Sequence, residues 1–287
     1  MIITNLAYPT ARTNHAAIPD PIPILMYHSI SERASLGFKK FAVAPRNFTE
    51  QLAYLSHEGY TPVTISQLVK AINGDLTLPA RPVALTFDDG FADFFSTAYP
   101  ALQRFGFTAT LYIATAYVNS TSRWLAHEGE ADRPMLNWEQ INTLSTAGIE
   151  IGAHTHTHPQ LDTLPIAAAH AEIAESRRQL EAHLPVTVQS FCYPFGYFSP
   201  EVRKTVQDCG YNSACAVRYL SSSLRDDRFA LARRIVLDTT TISDFGRLLN
   251  GKDAPGNQVT DRVKAMIWRV VRQTRTRLNV RSPRKSK

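Results

Sequence analysis

The chain has 287 residues, of which 44% are hydrophobic and 20% are charged. These proportions are typical of an ordinary globular protein and argue against a disordered or membrane-spanning chain, since no segment approaches the roughly 20 apolar residues of a bilayer span. The formal net charge is +6, but residues 260–287 carry ten Lys or Arg and one Asp, so the remainder is net acidic and does not resemble a nucleic-acid binder.

The N-terminus and the cysteines bear on the compartment. Residues 1–21 are interpreted as an N-terminal extension that lacks the basic start and apolar run of a signal peptide. The cysteines, Cys192, Cys209 and Cys215, form neither a disulfide framework nor a zinc-ribbon spacing. We therefore expect a cytoplasmic protein, with the inner face of the membrane as an alternative location.

Seven short apolar runs between residues 22 and 250 have the composition of buried parallel strands. Helical periodicity lies between several of them, as where Phe48, Leu52 and Leu55 share a face after Pro45. This alternation predicts an α/β fold, a deformed (β/α) barrel of about seven parallel strands over residues 22–250. The runs are IPILMYH (22–28), RPVALTF (81–87), TATLYIA (108–114), IEIGAH (149–154), VTVQSFCY (186–193), YNSACAV (211–217) and ALARRIVL (230–237).

The last segment, residues 251–287, is strongly basic. Apolar residues recur at helical spacing over residues 260–279 with arginines between them, which predicts a C-terminal basic amphipathic helix followed by a disordered end. Such a helix is suited to peripheral contact with an anionic membrane or an acidic partner. Packing of its apolar face on the barrel is the alternative.

Catalytic groups of a (β/α) barrel lie at the carboxyl ends of its strands. Four of the predicted strands end in polar or functional residues, and we expect these ends to meet at one mouth. That convergence predicts an active site. The residues are Tyr27 and His28 in the first segment, Asp88 and Asp89 after the second, His154, His156 and His158 after the fourth, and Tyr193, Pro194 and Gly196 after the fifth.

The segment HTHTH, residues 154–158, indicates a metal site. A catalytic zinc ion is typically held by three His or carboxylate ligands with one position left open. His154 and His158 are four residues apart and can face one centre from a compact loop, and an aspartate of TFDDG completes the set. We predict a divalent metal, Zn²⁺ by first choice, with Co²⁺ or Ni²⁺ as alternatives. Hydrogen-bonded loop histidines are the alternative interpretation.

Asp88 and Asp89 are expected to have different roles. Neighbouring side chains of an extended backbone point to opposite sides, so one carboxylate can bind the metal while the other takes a proton from water. Gly90 allows the sharp turn that follows. A helix N-cap would account for only one of the two aspartates.

The segments ILMYHSI, TFDDG, HTHTHP and YPFG together resemble the polysaccharide deacetylase family, also called the NodB-homology or family 4 carbohydrate esterases. Within it, the chain resembles the subgroup with a Met-Tyr-His segment and a Tyr-Pro-x-Gly motif. The resemblance covers residues 23–249. It implies a deformed barrel and metal-dependent hydrolysis of N-acetyl groups on amino sugars.

The resemblance also implies roles for individual residues. Asp88 matches the general base, and the Phe195 position is one whose backbone N–H helps to bind the oxyanion. Thr155 would support the loop between the metal ligands. The metal ligands would be Asp89, His154 and His158.

Two features depart from the best-known members. Their late Leu-x-x-His motif, which supplies a general acid, has no counterpart, because no histidine follows His183. His28 is our candidate for that role, with His156 as the alternative. The arginine before the proline motif is also missing, and Arg233 or Arg234 on the last strand could supply a charge that orients Asp88. We take Arg234 as the candidate, with a surface ion pair as the alternative interpretation.

The expected partner is an N-acetylated amino-sugar glycan, as a polysaccharide, an oligosaccharide or a lipid-linked or nucleotide-linked precursor. Trp124, in a long polar loop, joins Tyr193, Pro194 and Gly196 as a candidate substrate-binding residue, because aromatic rings stack on sugar faces. Two other functions stay open: hydrolysis of a different small amide on the same scaffold, and glycan binding without catalysis.

Overall fold

The computed structural model describes residues 22–217 and 227–251, and its centre is a closed parallel barrel. Strands β1, β10, β9, β8, β7, β6 and β5 pair in parallel in that order, and β5 pairs with β1 to close the ring. The strands in chain order are β1 (Ile24–Tyr27), β2 (Ser29–Ile30), β3 (Ala42–Val43), β4 (Thr61–Pro62), β5 (Pro82–Phe87), β6 (Thr110–Ile113), β7 (Glu150–Ala153), β8 (Ser190–Cys192), β9 (Ser213–Val217) and β10 (Leu231–Ile235).

Each of the seven predicted strands contains one barrel strand, which confirms the deformed (β/α) barrel. The deformation lies in short pairings between neighbouring strands. β4 pairs with the first two residues of β5, and β6 pairs with the last two. Strands β7 and β8 share a single register pair, Ala153 with Phe191.

Helices surround the barrel and bury apolar faces against it. In α1, Phe48, Leu52 and Leu55 are buried, as the periodicity predicts. A π-helical turn, Phe94–Ala98, leads into α3. The helices are α1 (Pro45–His57), α2 (Ile65–Ile72), α3 (Tyr99–Arg104), α4 (Trp138–Thr146), α5 (Ile166–His183), α6 (Pro200–Asp208) and α7 (Ile242–Leu249).

Side-chain alternation along the strands divides the core into two parts. Leu25 and Tyr27 of β1 belong to the large cluster between strands and helices. Ile24, the residue between Pro23 and Leu25, belongs instead to a second cluster with Tyr112 and with α2. The second cluster fills the barrel interior, and α2 covers the end at which the strands begin, where Ile65 N donates to Thr110 Oγ1.

The two ends of the chain, residues 1–21 and 252–287, lie outside the described residues. The predicted N-terminal extension and the basic amphipathic helix of residues 260–279 therefore have no structural account here. Within the described ranges, no helix combines the length and the apolar character needed to cross a bilayer.

Candidate active site

The carboxyl end of β5 presents the aspartate pair through a tight turn. Asp89 has a φ of 75° and Gly90 a φ of 87°, and Gly90 N donates to Asp88 O at 3.0 Å. Left-handed backbone is unfavourable for a residue with a side chain, so Asp89 holds a strained conformation of the kind found at functional sites. The turn directs the two carboxylates to different partners.

Asp89 lies against two of the three histidines of the 154–158 loop. Its Oδ1 is 3.5 Å from His154 Nε2 and 3.2 Å from His158 Nε2. The ligand atoms of the three side chains all lie within 4.8 Å of one another, and Asp89 Oδ1 makes no hydrogen bond within the described residues. An unpaired buried carboxylate oxygen facing two imidazole nitrogens fits a divalent metal of the zinc type.

A hydrogen bond at Nδ1 of His154 leaves its Nε2 available as a metal ligand. Nδ1 lies 2.8 Å from Cys192 O, and a carbonyl can only accept a hydrogen bond, so Nδ1 carries the proton and Nε2 is left free toward Asp89. Burial lowers the pKa of His154 to about 4, even though both neighbouring aspartates act in the opposite direction. The imidazole is therefore neutral at pH 7, the form that binds metal.

The loop between the two ligands turns His156 away from them. Thr155 has a φ of 65° and His158 a φ of 60°. Thr155 Oγ1 accepts a hydrogen bond from His158 N at 3.0 Å, which agrees with the supporting role implied for it. His156 Nδ1 lies 2.9 Å from Thr115 Oγ1, whereas the group of possible metal ligands around Asp89 contains His154 and His158.

Asp88 is held by Arg233 inside the barrel. The Arg233 Nη1 and Nη2 atoms donate to Asp88 Oδ1 and Oδ2 at 2.6 and 2.7 Å. Arg233 also donates to Thr86 Oγ1 at 3.1 Å. Burial alone would raise the pKa of Asp88, but the charge and the hydrogen bonds of Arg233 bring it well below the ordinary value. Asp88 is thus ionised at neutral pH.

The orienting arginine is Arg233, and the prediction of Arg234 is wrong. Successive residues of β10 point to opposite faces: Arg233 points inward, while Arg234 points outward and donates from Nη1 to Leu248 O of α7 at 2.7 Å. The sequence contains both arginines, but it does not show which of them points into the barrel.

The YPFG turn contributes one residue to the mouth. The Phe195 ring is 48% exposed and lies 5.0 Å from the His158 ring. Tyr193 is fully buried, and its hydroxyl donates to Phe229 O at 3.1 Å. Because a fully buried side chain cannot touch substrate in this conformation, the substrate-binding role predicted for Tyr193 is wrong.

Pro194 and Gly196 shape the turn around Phe195. Pro194 is buried, and Gly196 approaches β9 so closely that a Cβ would lie 2.4 Å from Val217 N. Phe195 itself has a φ of 59°. The structure thus gives Gly196 a packing role in the turn, whereas the oxyanion role of the Phe195 N–H stays a prediction.

Trp124 and His28 are the two remaining predicted residues near the trio. The Trp124 ring is 5.4 Å from the His158 ring and 4.2 Å from that of Tyr117, and its Nε1 is buried without a hydrogen-bond partner among the described residues. His28 is half-buried and its Nδ1 is buried without a hydrogen-bond partner among the described residues. It follows Tyr27, whose carbonyl accepts a hydrogen bond from Asp88 N at 3.0 Å.

One neighbour of the site is not assigned a role by the sequence patterns. Cys192 Sγ lies 3.6 Å from Asp88 Oδ2 and 2.9 Å from Arg233 Nη2. Phe191 and Cys192 stand where the arginine is missing, and Arg233 reaches Asp88 from β10. A cysteine within an apolar strand carries no signal of such a contact.

A barrel whose mouth joins a His-His-Asp trio to an ionised aspartate has the parts of a hydrolase with a metal site. Residues 75–214 match the sequence model of the family described as polysaccharide deacetylase. The Bacillus subtilis protein YxkH, classed with the polysaccharide deacetylases, is 28% identical over 228 residues, which cover 79% of this chain and 76% of YxkH. Over these stretches the chain is therefore similar to the polysaccharide deacetylases.

Two further similarities are informative. The poly-β-1,6-N-acetyl-D-glucosamine N-deacetylase of Escherichia coli is 29% identical over 135 residues, 46% of this chain, but this match spans only 20% of that protein. The structure of the Streptococcus pyogenes deacetylase PplD in complex with acetate aligns with a TM-score of 0.69 and 24% identity, over 81% of this chain and 98% of PplD. The second similarity shows the shared fold.

Proposed function

We propose that this protein is a metal-dependent hydrolase that removes N-acetyl groups from amino sugars of a glycan. The observation that carries the proposal is the convergence of Asp89, His154 and His158 on one point beside the ionised Asp88. Zn²⁺, or Co²⁺ or Ni²⁺ in its place, held by these three ligands would supply the Lewis acidity that activates an amide carbonyl and a water.

The chain's own residues account for the proton transfers. Asp88 Oδ2 accepts hydrogen bonds from both Arg233 and Cys192 Sγ, whereas Oδ1 accepts one from Arg233. Oδ1 keeps a further lone pair, with which it takes the proton of the attacking water. The Phe195 N–H donates to the oxyanion that forms. His28, which follows the strand residue paired with Asp88 N, gives a proton to the departing nitrogen. Acetate and a free amine are the products.

The aromatic residues around His158 favour a sugar substrate. The Trp124 ring lies 5.4 Å from His158 and the Phe195 ring 5.0 Å from it, so two apolar ring surfaces lie beside a metal ligand. Flat aromatic faces pack well on the C–H faces of a pyranose ring. N-acetylglucosamine is the preferred candidate, because the E. coli relative is named for that sugar, in a polymer, an oligomer or a lipid-linked or nucleotide-linked precursor.

Acetate release tests the reaction and the substrate class together. Metal-loaded protein would be incubated with N-acetylglucosamine oligomers and with lipid-linked and nucleotide-linked amino sugars, beside Asp88→Asn, His154→Ala and the control Arg234→Met. We expect release with the parent protein and the control and none with the other two variants. Stoichiometric metal binding without acetate from any sugar would contradict the proposal and favour another amide, or binding without catalysis.

We further propose a location at the inner face of a membrane, where the enzyme would act on glycan precursors. The support is the charge of residues 260–287, ten Lys or Arg against one Asp, which favours anionic lipid. Sedimentation with anionic and neutral liposomes, using the full chain and a chain ending at residue 259, tests this. Equal sedimentation of both chains with anionic liposomes would contradict it.

A further inference from the structure

The loop that carries the two histidine ligands needs support, because its backbone is strained. Thr155 and His158 both hold left-handed conformations, with φ of 65° and 60°, which are unfavourable for residues with side chains unless the surroundings impose them. Part of the support comes from the segment after β6. Ala116 N donates to His156 O at 2.9 Å, and the Tyr117 hydroxyl donates to Thr157 O at 3.1 Å.

The opposite side of the loop is held by Glu172 of α5. Glu172 Oε2 accepts hydrogen bonds from His156 N at 3.0 Å and from Thr157 N at 2.7 Å. Its Oε1 accepts a third from Thr157 Oγ1 at 2.6 Å. One carboxylate therefore receives three hydrogen bonds from two adjacent residues, and bonds of this charge-assisted kind are stronger than neutral ones.

These contacts fall at the centre of the segment that joins the ligands. His154 is fixed at the end of β7 by its bond to Cys192 O, whereas His158 follows four residues later on the strained loop. The position of His158 relative to His154 therefore depends on how the peptides at residues 156 and 157 are held. Glu172 comes from another element and holds both peptides from one side.

We propose that Glu172 is a positioning residue of the metal site, which sets the separation of His154 and His158 through the loop and so sets the metal affinity. The proposal rests on the metal site of the proposed function. The three hydrogen bonds of Glu172 go to His156 and Thr157 and not to the ligand atoms. Loss of an outer partner of this kind typically weakens metal binding or activity about 10- to 100-fold.

The decisive experiment compares Glu172→Gln with the matched control Glu175→Gln. Glu175 lies on the same helix, and its hydrogen bonds go to Arg178 and Gln179 instead of the loop. Glu172→Gln removes the negative charge that strengthens the bonds from His156 N and Thr157 N, and its NH₂ group takes the place of Oε1, the acceptor of the Thr157 hydroxyl. We expect the dissociation constant for Zn²⁺, measured by competition with a chromogenic chelator, to rise about 10- to 100-fold in Glu172→Gln and to stay unchanged in the control.

A second measurement follows the loop without metal. Amide hydrogen exchange at His156 and Thr157 in the metal-free protein should accelerate in Glu172→Gln and not in Glu175→Gln. A purely structural role would lower the melting temperature while leaving the Zn²⁺ dissociation constant as it was. If Glu172→Gln does not fold, Thr157→Val, which removes the hydroxyl bond to Oε1, should still raise the dissociation constant.

The outcomes separate this inference from the proposed function. Equal Zn²⁺ affinities in Glu172→Gln and Glu175→Gln would overturn the positioning role, whatever the enzyme does to sugars. Tight Zn²⁺ binding that depends on Glu172, in a protein that releases no acetate, would support the positioning role and contradict the deacetylase reaction. Absence of stoichiometric binding by the parent chain would overturn both.

Discussion

Arg233 and Asp88 come from different strands of the barrel, β10 and β5, and meet in its interior through two hydrogen bonds of 2.6 and 2.7 Å. Their side chains are 1% and 4% exposed, so neither charge is solvated. Breaking a buried pair by removing one partner costs on the order of 3–5 kcal/mol, because the remaining charge has no compensation. Arg233 therefore supports both the fold and the ionised state of Asp88.

We expect Arg233→Met to lose stability of this order and to shift the acid limb of the activity profile to higher pH. The pKa of Asp88 is held down by Arg233, so removal of Arg233 raises it, and the base becomes protonated at a pH where the parent enzyme is still ionised. Denaturant unfolding and a pH profile of kcat/KM measure the two effects. Arg234→Met is the control, and an identical shift in that variant would contradict the assignment.

Metal removal should lower stability as well as activity. A metal that binds the folded chain at 100 times its dissociation constant adds about 2.7 kcal/mol to the free energy of unfolding. We expect chelator-treated protein to melt at a lower temperature and to recover when Zn²⁺ is added. Asp89→Asn should abolish the recovery, whereas Asp132→Asn, at an exposed position, should not. A Zn²⁺ response that persists in Asp89→Asn would place the ion elsewhere.

Mutation of Trp124 should weaken substrate binding, whereas mutation of Tyr193 should lower stability. Trp124 lies beside His158 at the mouth, so Trp124→Leu is expected to raise KM roughly tenfold, about 1.4 kcal/mol of binding, which is in the range of an aromatic contact. Tyr193→Phe removes only the bond to Phe229 O, at a cost of about 1 kcal/mol in stability. Steady-state kinetics and denaturant unfolding of both variants measure this difference, and an increased KM in Tyr193→Phe would contradict its buried role.

The three cysteines should differ in reactivity. Cys192 and Cys215 are fully buried, and burial raises the pKa of Cys215 to about 11 and that of Cys192 well above its ordinary value. Cys209 is partly exposed. We expect a thiol reagent at pH 8 to label one cysteine in the native protein and three after denaturation, since the thiolate is the reactive form. Cys209→Ser should remove the native label, and labelling that persists would show that the barrel interior opens.

The barrel was predictable because its strands are buried on both faces and so form nearly continuous apolar runs. The sequence also pointed to Asp88, Asp89, His154 and His158, since their spacing places them at strand ends. It did not distinguish Arg233 from Arg234, because a shift of one residue along β10 exchanges the side chains that point into the barrel with those that point outward. Glu172 gave no signal, since its contact with the loop depends on how α5 packs.

α2 closes the end of the barrel at which the strands begin, and side chains such as Tyr112 and Arg233 fill the space above it. Within the described residues the site therefore opens on one side, at the mouth shared by Trp124 and Phe195. In the proposed reaction, the glycan and the acetate would leave by the path on which the substrate arrived. Acetate formed beneath a bound sugar would then depart after the sugar has withdrawn, which makes the order of product release a consequence of the closed barrel.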